Sequence, residues 1–330
     1  MLRTPIVYII STVSELSSAV KKCLPDANIT NVTLVNSDEI SQNDEREILQ
    51  SAEVLFADPP FIAKYIYKAG SLKWAHSTWA GIDSIVKRVD VQKPPDVVLS
   101  RPGTAFGELM AEYVLAQILA REKKMYSLYQ NQQSKIWSQA EFREPRMLSS
   151  LRLGVLGAGL IGTKIGSLCK AVGMEVWGMT RESRRDVPNL PLDIYKTCED
   201  LPEILQSCDY ICNVLPSTPR TKNLLSNGVL MHCQKRKSIF INVGRGDIID
   251  EDSLVHALRN GWIGGAVLDV FRIEPLSKES PLWTLPNVVI TPHIAGPSCT
   301  NMVLKSFVEN YEKFVCNDKL KYTVDWNRGY

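Results

Sequence analysis

A glycine-rich segment with the pattern Gly157-x-Gly159-x-x-Gly162 lies between an apolar run and a helical pattern. In that context each glycine has its own steric task. Gly157 permits a tight turn, Gly159 lets the phosphates of a ligand approach the backbone, and Gly162 lets the helix pack on the strand. The helix N-terminus offers N–H groups and the positive end of its dipole to those phosphates. The segment therefore predicts a strand, a pyrophosphate-binding loop and a helix.

The residues around this loop alternate short apolar runs with helical patterns. Candidate strands span residues 151–156, 175–179, 210–215, 238–243, 263–270 and 288–291. The intervals between most of them fit one crossover helix each, so we expect βαβ units and a parallel sheet. Several runs are apolar on both faces, which is typical of a sheet that is covered on both sides.

The first hundred residues show their own alternation, which predicts a second and smaller α/β unit. Its strands are expected near Ile6, Ile29, Val54, Leu72 and Val97. With 330 residues the chain exceeds the size at which one core usually stops growing, so two domains agree with its length.

Two helical segments link these units. Residues 104–126 predict a long amphipathic helix, with Pro102-Gly103 before it as a hinge or cap. Residues 301–316 predict a helix that returns to the first unit. The predicted domains are therefore a discontinuous substrate-binding domain, 1–102 plus 297–330, and a dinucleotide-binding domain, 103–296.

Charge and composition exclude several other classes. The chain has 38 Lys and Arg against 36 Asp and Glu, a net charge of +2, so neither a nucleic-acid nor a membrane surface is expected. No apolar run is long enough for a membrane span, and the stretch from Ile6 to Ile10 is too short for a signal peptide, so the expected location is the cytoplasm. The eight cysteines show no metal-binding spacing, so no metal site but free, buried thiols are expected.

The end of the second candidate strand bears on the choice of dinucleotide. An NAD site usually has Asp or Glu there to bind the ribose 2′-OH. This chain has Thr180 and Arg181 instead, with Arg184 and Arg185 following. Arginine pairs with a 2′-phosphate, so we expect NADP(H) to be preferred over NAD(H). The alternative is that these arginines are ordinary surface charges.

Three ionisable residues follow the ends of late strands, where ligands bind in open parallel sheets: Arg245, Glu274 and His293. Imidazole can supply the proton that reduction of a 2-oxo acid requires. A carboxylate beside it stabilises imidazolium, and a guanidinium can hold the substrate carboxylate. Taken singly, each residue also has a purely structural interpretation.

The motifs that carry these residues occur in a recognisable order. GAGLIG, NVGRG, DVFRIEPL and TPHIAG together resemble the D-2-hydroxyacid dehydrogenases. STWAGID at 77–83 is similar to that family's substrate loop, LMAEYVLAQILA at 109–120 to its long interdomain helix, and LPSTPRTKNLL at 215–225 to a segment of its cofactor domain. The ending VDWNRGY looks like the glyoxylate and hydroxypyruvate reductase branch.

This resemblance implies a fold and a set of roles. The expected fold is two doubly wound parallel-sheet α/β domains around a cleft, a Rossmann cofactor domain and a smaller flavodoxin-like substrate domain. Arg245 would bind the substrate carboxylate and carbonyl, His293 would be the acid in reduction and the base in oxidation, and Glu274 would raise the pKa of His293. Backbone N–H groups of Ala80 and Gly81 would hold the carboxylate.

Two residues each have two alternative roles. Trp79 could wall the substrate pocket or belong to an interdomain core, and Asp269 could bind the nicotinamide carboxamide or have a structural role. The other residues expected to contact the cofactor flank the glycines or follow later strands: Leu160, Ile161, Leu215, Pro216, Thr218 and Val243. Two positions depart from many family members, Ser100-Arg101 before Pro102, and Tyr113 where many have His.

These observations predict an NADP(H)-dependent oxidoreductase that reduces small 2-oxo acids, of the glyoxylate and hydroxypyruvate type, by hydride transfer. The family likeness implies a homodimer through the long-helix region. The competing prediction is a dinucleotide-sensing corepressor of the same fold that binds peptide motifs, and such a protein can retain all three ionisable residues.

Overall fold

In the computed structural model of the protein, the apolar runs form two all-parallel sheets, one of five strands and one of seven. The structure describes residues 4–36, 39–90, 92–183, 190–326 and 328. The chain divides into two compact units. The first unit is Met1–Phe106 with Ser298–Tyr330, and the second unit is Gly107–Pro297.

Strands and helices alternate along the N-terminal part of the first unit. Its elements are β1 (Ile6–Ile10), α1 (Leu16–Cys23), β2 (Asn28–Asn31), α2 (Gln42–Ser51), β3 (Val54–Ala57), α3 (Pro59–Tyr65), β4 (Trp74–Ser77), α4 (Asp83–Val86) and β5 (Val98–Ser100). The strand order is β2-β1-β3-β4-β5, which is the flavodoxin-like order. The order reverses between β1 and β3, so the C-terminal ends of these strands flank a switch point.

The second unit contains the larger sheet. Its elements are α5 (Gly107–Glu122), α6 (Met125–Gln133), β6 (Arg152–Leu156), α7 (Leu160–Ala171), β7 (Glu175–Met179), β8 (Ile194–Lys196), α8 (Leu201–Ser207), β9 (Tyr210–Asn213), β10 (Ile239–Asn242), α9 (Glu251–Arg259), β11 (Gly265–Leu268) and β12 (Val288–Ile290). The strand order is β12-β11-β10-β9-β6-β7-β8, a doubly wound order of the Rossmann type with its switch point between β6 and β9.

Helices cover both faces of the larger sheet. Successive residues of a strand point to opposite faces. A Cβ on Gly154 would lie 2.7 Å from Ile204 of α8, whereas a Cβ on Gly162 of α7 would lie 3.0 Å from Val155. Because Gly154 and Val155 are neighbours in β6, α7 and α8 must lie on opposite faces. The prediction of an α/β fold with two doubly wound sheets is confirmed.

The helix predicted after the last strand is also present, as α10 (Thr300–Val315), and it belongs to the first unit. Phe307 of α10 stacks on Phe56 of β3 with ring centroids 4.2 Å apart, and it stacks on Trp74 of β4 at 5.3 Å. These rings are fully buried, so α10 completes the core on one face of the smaller sheet.

Two local predictions were wrong. The single helix predicted over residues 104–126 is two helices, α5 and α6, because Lys124 adopts a left-handed conformation with φ 48° between them. No glycine marks that break in the sequence, so the helical pattern appears continuous. The short strand β8 was missed, since three residues are too few to show a period.

The thiols differ in part from the expectation. None of the eight cysteines forms a disulfide, but only four are buried, Cys169, Cys208, Cys212 and Cys233, and the other four are exposed. Within the described ranges, no group of three His, Cys, Asp or Glu side chains is placed to hold a metal ion. In the same ranges no helix combines the length and the apolar character needed to cross a membrane.

Candidate active site

The glycine loop follows β6 at the switch point of the larger sheet. Gly157 has φ 103°, a conformation that L side chains rarely adopt. A Cβ on Gly162 would lie 2.1 Å from the carbonyl oxygen of Gly157, so no other residue fits at that position. These two glycines are therefore required by the protein's own packing.

Gly159 differs, because a Cβ there would meet no protein atom within 4 Å. It is the N-cap of α7, and the helix begins at Leu160. Leu160 and Ile161 carry the first N–H groups of α7, which have no carbonyl partner within the helix. The open side of Gly159 and these donors suit a pyrophosphate at this helix end.

The end of β7 carries the residues expected to select the dinucleotide. The N–H of Thr180 donates to the carbonyl of Lys196 at 2.9 Å, and the Thr180 hydroxyl donates to the carbonyl of Glu182 at 2.8 Å. Arg181 follows at an exposed position. Arg184 lies outside the described residues. No carboxylate side chain occupies the last position of β7 or the one after it.

Loops after β9 and β10 form the opposite side of the switch point. A Cβ on Gly157 would lie 3.2 Å from the backbone nitrogen of Leu215, so the predicted cofactor segment passes directly beside the glycine loop. The segment holds its own shape, because Thr221 accepts from the N–H of Thr218 at 2.9 Å and donates to the carbonyl of Pro216 at 2.6 Å. Val243 is buried and its N–H donates to the carbonyl of Asn213.

Two buried asparagines that the sequence analysis did not identify join these loops. Asn213 and Asn242 are the last residues of β9 and β10, and the amide of Asn213 donates to the side-chain oxygen of Asn242 at 2.8 Å. The same oxygen accepts the N–H of Gly244 at 3.3 Å. A polar residue ending an apolar strand is the sequence signal that could have revealed them.

Arg245 follows β10, and the next residue explains its position. A Cβ on Gly246 would lie 1.9 Å from the backbone carbon of Phe271, so only glycine allows the loops after β10 and β11 to meet. Arg245 donates from Nη1 to the carbonyl of Gly244 at 2.6 Å. The close contact between Gly246 and Phe271 brings Arg245 beside the loop that carries Glu274.

Glu274 and His293 are in direct contact. Oε2 of Glu274 lies 2.8 Å from Nδ1 of His293, and Oε1 accepts the N–H of Phe271 at 2.8 Å. The structure thus brings together the acid and the imidazole from the ends of two neighbouring strands, β11 and β12. Arg245 is close enough to act electrostatically on both.

The ionisation of this pair favours a charged carboxylate and imidazolium. The hydrogen bond that His293 donates to Glu274 raises the pKa of His293 above its ordinary value, despite the opposing effect of burial. Burial opposes ionisation of Glu274, but hydrogen bonds from His293 and from the N–H of Phe271 outweigh it, so the pKa of Glu274 lies below its ordinary value. The imidazole therefore holds its proton to higher pH than an isolated histidine would.

Asp269, expected at the cofactor or in a structural role, is 1% exposed at the end of β11. Its Oδ1 accepts the hydroxyl of Thr291 at 2.6 Å and the N–H of Ile294 at 2.8 Å, and its Oδ2 accepts the N–H of Ala295 at 2.9 Å. These contacts give Asp269 a clear structural task, which is to hold the segment that carries His293.

The loop after β4 in the first unit contains Trp79, Ala80 and Gly81. The Trp79 side chain is 39% exposed, so the residue is not part of the first unit's own core. The hydroxyl of Ser77 donates to the carbonyl of Trp79 at 2.8 Å and stabilises the turn. In the described part of the chain, no hydrogen bond uses the N–H groups of Ala80 and Gly81.

Asp58, which the sequence analysis also missed, anchors this loop from the end of β3. It is 2% exposed and accepts hydrogen bonds from the hydroxyls of Ser11 at 2.5 Å and Thr12 at 2.8 Å, from the N–H of Thr12 at 2.9 Å, and from the hydroxyl of Thr78. The carboxylate joins the ends of β1, β3 and β4 immediately before Trp79.

The larger sheet therefore brings a phosphate loop and three ionisable side chains to one edge, since each follows the C-terminal end of a parallel strand. Such an edge can hold a dinucleotide at α7 and can transfer a proton at His293. Among known families, the chain matches the model of the D-isomer specific 2-hydroxyacid dehydrogenase, NAD binding domain, over residues 115–295.

Solved structures agree over almost the whole chain. A D-isomer specific 2-hydroxyacid dehydrogenase family protein from Aeromonas salmonicida is 31% identical, with a TM-score of 0.83 over 98% of this chain and 100% of that one. A D-isomer specific 2-hydroxyacid dehydrogenase from Xanthobacter autotrophicus in complex with NADPH and MES is 28% identical, with a TM-score of 0.84 over 99% and 100%.

A third structure is similar in fold at lower identity. It is the NADPH-dependent glyoxylate/hydroxypyruvate reductase from Sinorhizobium meliloti in complex with NADP and sulfate, 24% identical, with a TM-score of 0.83 over 99% of this chain and 100% of that one. The family model covers more than half of the chain, and the motifs at Gly157, Arg245, Glu274 and His293 stand in the order that the family resemblance implied. The chain belongs to the D-isomer specific 2-hydroxyacid dehydrogenase family.

Proposed function

We propose that this protein reduces small 2-oxo acids, of the glyoxylate and hydroxypyruvate type, to 2-hydroxy acids with NADPH. The observation that carries the proposal is the hydrogen-bonded pair of Glu274 and His293 beside Arg245, at the sheet edge that also bears the glycine loop. The similarity to the Sinorhizobium meliloti reductase and the ending VDWNRGY support the choice of substrate.

In this proposal His293 is the proton donor. Its Nδ1 donates to Glu274, so the transferred proton is carried by Nε2. When bound, the reduced nicotinamide supplies a hydride to the carbonyl carbon. The electron pair of the carbonyl bond moves to the oxygen, which takes the proton from Nε2 and becomes the hydroxyl. The imidazole is left neutral and regains a proton from solvent before the next turnover.

Arg245 binds the substrate carboxylate and polarises the carbonyl, because a guanidinium presents two parallel N–H donors to an anion. In the first unit, the N–H groups of Ala80 and Gly81 are proposed to bind a substrate carboxylate, and Trp79 is proposed to wall the substrate pocket. The exposure of Trp79 and the two unengaged N–H groups support these roles.

The proposed cofactor is NADP(H) in preference to NAD(H). The pyrophosphate would lie at Gly159 and the first N–H groups of α7, and the 2′-phosphate would pair with Arg181 beside Thr180. The end of β7, which carries no carboxylate, supports this preference, as does the NADPH bound to the Xanthobacter autotrophicus relative. The remaining proposed cofactor contacts are Leu160, Ile161, Leu215, Pro216, Thr218, Val243 and Asp269.

The decisive experiment is a panel of 2-oxo acids assayed with NADPH by the loss of reduced-nicotinamide absorbance. We expect glyoxylate and hydroxypyruvate to have the highest kcat/KM, ahead of pyruvate and of bulkier branched or aromatic acids. His293→Ala should lower kcat by roughly 10²- to 10⁴-fold. A folded His293→Ala variant with wild-type turnover would contradict the role of His293, and turnover of none of these acids would contradict the substrate class.

A control separates loss of chemistry from loss of cofactor binding. The affinity for NADPH, measured by fluorescence titration, should be nearly unchanged in His293→Ala, because the imidazole does not belong to the phosphate loop. Binding of short corepressor-type peptides without turnover of any 2-oxo acid would favour the competing peptide-binding function.

We further propose that the protein is a homodimer through α6 and the residues that follow it. No residue of α6 is buried, and Met125, Tyr126 and Tyr129 are each at least half exposed. Trp137 is 91% exposed. Exposed apolar side chains that cluster in one segment are typical of a protein contact. Light scattering should give a dimer mass, and Trp137→Glu should shift it towards the monomer, whereas a monomeric wild type would contradict the proposal.

A further inference from the structure

The backbone at His293 is held in a conformation that needs support from its surroundings. Its φ is 55°, in the left-handed region that residues other than glycine rarely adopt. The N–H of His293 donates to the backbone carbonyl of Asp269 at 2.9 Å and of Thr291 at 3.1 Å. Residues in such conformations persist when the contacts around them leave no alternative.

The Asp269 carboxylate supplies those contacts on both sides of His293. It holds Thr291 before the histidine, and Ile294 and Ala295 after it, by three hydrogen bonds of 2.6 to 2.9 Å. Asp269 itself is buried and accepts all three bonds through its carboxylate, and hydrogen bonds to a carboxylate are stronger than ordinary neutral ones.

One further residue completes this arrangement from α5. The hydroxyl oxygen of Tyr113 lies 2.6 Å from Oγ1 of Thr291. Because the Thr291 hydroxyl donates its proton to Asp269, it can only accept from Tyr113. Burial raises the pKa of Tyr113 to about 12, so the phenol keeps its proton and remains a donor at every functional pH.

We propose that Tyr113 is a positioning residue for His293, acting through the directed chain from its hydroxyl to Thr291 and then to the Asp269 carboxylate. This chain of hydrogen bonds runs from α5 to the turn after β12 and lies entirely within the second unit. The inference rests on the proposed function only where it concerns turnover, since the position of the imidazole is a property of the free protein.

Removing the Tyr113 hydroxyl leaves the acceptor position of Thr291 without its donor. Thr291 can then rotate, and the left-handed turn loses part of its restraint. The 2.8 Å contact between Nδ1 of His293 and Glu274 is formed for less of the time. A displacement of a proton donor by about 1 Å is enough to reduce turnover strongly.

The electrostatic surroundings of the imidazole allow a change in its position to be measured through its pKa. The ionisable groups that act on His293 are Glu274, Arg245 and Asp269. Tyr113 is uncharged, so Tyr113→Phe alters the net charge of none of them. A change in the imidazole pKa in this variant therefore reports a change in geometry.

The test compares four variants of the full chain. Tyr113→Phe and Thr291→Val interrupt the chain of hydrogen bonds, and Thr291→Ser keeps the hydroxyl. Tyr67→Phe is the matched control, because the Tyr67 hydroxyl also donates a hydrogen bond, to the carbonyl of Lys93, but lies in the first unit. Thermal unfolding and NADPH fluorescence confirm that each variant is folded.

The first readout is independent of turnover. The chain has four histidines, so the imidazole of His293 can be followed by nuclear magnetic resonance and assigned with His293→Gln. We expect the His293 pKa to fall towards its ordinary value in Tyr113→Phe and Thr291→Val, and to stay at the wild-type value in Thr291→Ser and Tyr67→Phe.

The second readout is kinetic. With a 2-oxo acid and NADPH, kcat of Tyr113→Phe should fall roughly ten-fold and KM should change by less than about two-fold, because geometry for proton transfer is lost and binding is not. The alkaline limb of the pH profile should move to lower pH. Thr291→Ser should keep kcat within about two-fold of the wild type.

The two proposals fail in different ways. A folded Tyr113→Phe variant with the wild-type imidazole pKa would overturn the positioning role, whatever its turnover. If the wild type reduces none of the acids tested, the proposed function fails and the imidazole pKa alone decides the positioning role. If Tyr113→Phe does not fold, the same criteria apply to Thr291→Val.

Discussion

Glu274 and His293 form a hydrogen bond of 2.8 Å between Oε2 and Nδ1, while Oε1 of the same carboxylate accepts the N–H of Phe271. Both carboxylate oxygens are therefore engaged, one by the imidazole and one by the backbone of its own loop. The backbone contact fixes the orientation of the carboxylate, and the carboxylate fixes the tautomer of the imidazole. This pairing leaves Nε2 away from the carboxylate, and Nε2 is the nitrogen that we propose exchanges a proton with substrate.

Glu274→Gln should lower activity and shift its pH dependence. The amide has one acceptor oxygen for two donors, so either Phe271 or His293 loses its partner. Because Glu274 raises the pKa of His293, the variant's imidazole should lose its proton at lower pH. In the proposed mechanism reduction requires the protonated form, so kcat/KM should decline from a lower pH than in the wild type. We expect a loss of roughly 10²-fold at neutral pH, measured as a pH–rate profile.

The matched control is Glu279→Gln, an exposed glutamate whose carboxylate accepts a hydrogen bond from Ser277. It should keep the wild-type profile. A Glu274→Gln profile that coincides with that of Glu279→Gln would remove Glu274 from the mechanism.

Arg181→Ala should weaken the binding of NADPH more than the binding of NADH. The loss of one charge-assisted hydrogen bond to a 2′-phosphate should raise KM for NADPH by roughly 10- to 100-fold, and KM for NADH should be almost unchanged. Arg259→Ala, at an exposed position of α9, is the control for loss of surface charge. Equal KM ratios in the two variants would show that Arg181 is an ordinary surface residue.

His76 in the first unit is fully buried between two serines. The Ser306 hydroxyl donates to the carbonyl of Val303, so it must accept from Nε2 of His76 at 3.1 Å. Nδ1 then accepts from Ser100 at 2.7 Å, and Ser100 in turn accepts from Trp74. The imidazole is thus neutral and has one defined tautomer, and burial lowers the pKa of His76 to about 3.

This neutral histidine predicts a loss of stability in acid. The unfolded chain takes up a proton at His76 below its ordinary pKa, but the folded chain does not until about pH 3. The contribution is therefore complete above pH about 6.5 and is lost as the pH falls from there, at about 1.4 kcal/mol per pH unit. Urea unfolding between these limits measures it.

His76→Gln retains a donor for Ser306 and has no titrating group, so its stability should depend less on pH than that of the wild type. His232→Gln in the second unit is the matched control. If His76→Gln and the wild type show the same pH dependence, the buried imidazole is not the cause.

Asp58→Asn should destabilise the first unit and disturb the loop that follows Thr78. The Asp58 carboxylate acts only as an acceptor in these four hydrogen bonds, and an amide would turn its own NH₂ group towards some of the donors. We expect a loss of roughly 2–4 kcal/mol in the free energy of unfolding, measured in urea. KM for the 2-oxo acid should rise as well, because Trp79, Ala80 and Gly81 lose their anchor.

Asp96→Asn at an exposed position of the first unit controls for the loss of a carboxylate. Stability of Asp58→Asn equal to that of Asp96→Asn would mean that the buried carboxylate does not hold these strand ends together.

Much of the fold could be predicted because its determinants are local. The strands β6, β7, β9, β10 and β11 could be identified from their apolar runs, because a strand that is buried on both faces is apolar at nearly every position. Gly157 and Gly162 could be identified from spacing, since a tight turn and a close helix–strand contact admit no side chain. Arg245, Glu274 and His293 could be grouped because parallel strands present their C-terminal ends at one edge.

The contacts that hold the site could not be predicted in this way. Tyr113 and Thr291 are 178 positions apart, and Asp58 reaches residues 46 positions before it and 20 after it. Nothing in the local pattern around any of these residues indicates its partner. The break at Lys124 was equally invisible, because a lysine in a left-handed conformation leaves no compositional mark.

The sequence by itself determined the parallel α/β architecture, the phosphate loop and the identity of the three ionisable residues, because periodicity and glycine sterics act over a few neighbouring positions. Only the tertiary structure decided that Asp269 holds the residues on both sides of His293, that Tyr113 contacts Thr291, and that His76 is neutral. Each of these depends on a hydrogen-bond direction between distant segments, and such a direction exists only once packing has brought the donors and acceptors together.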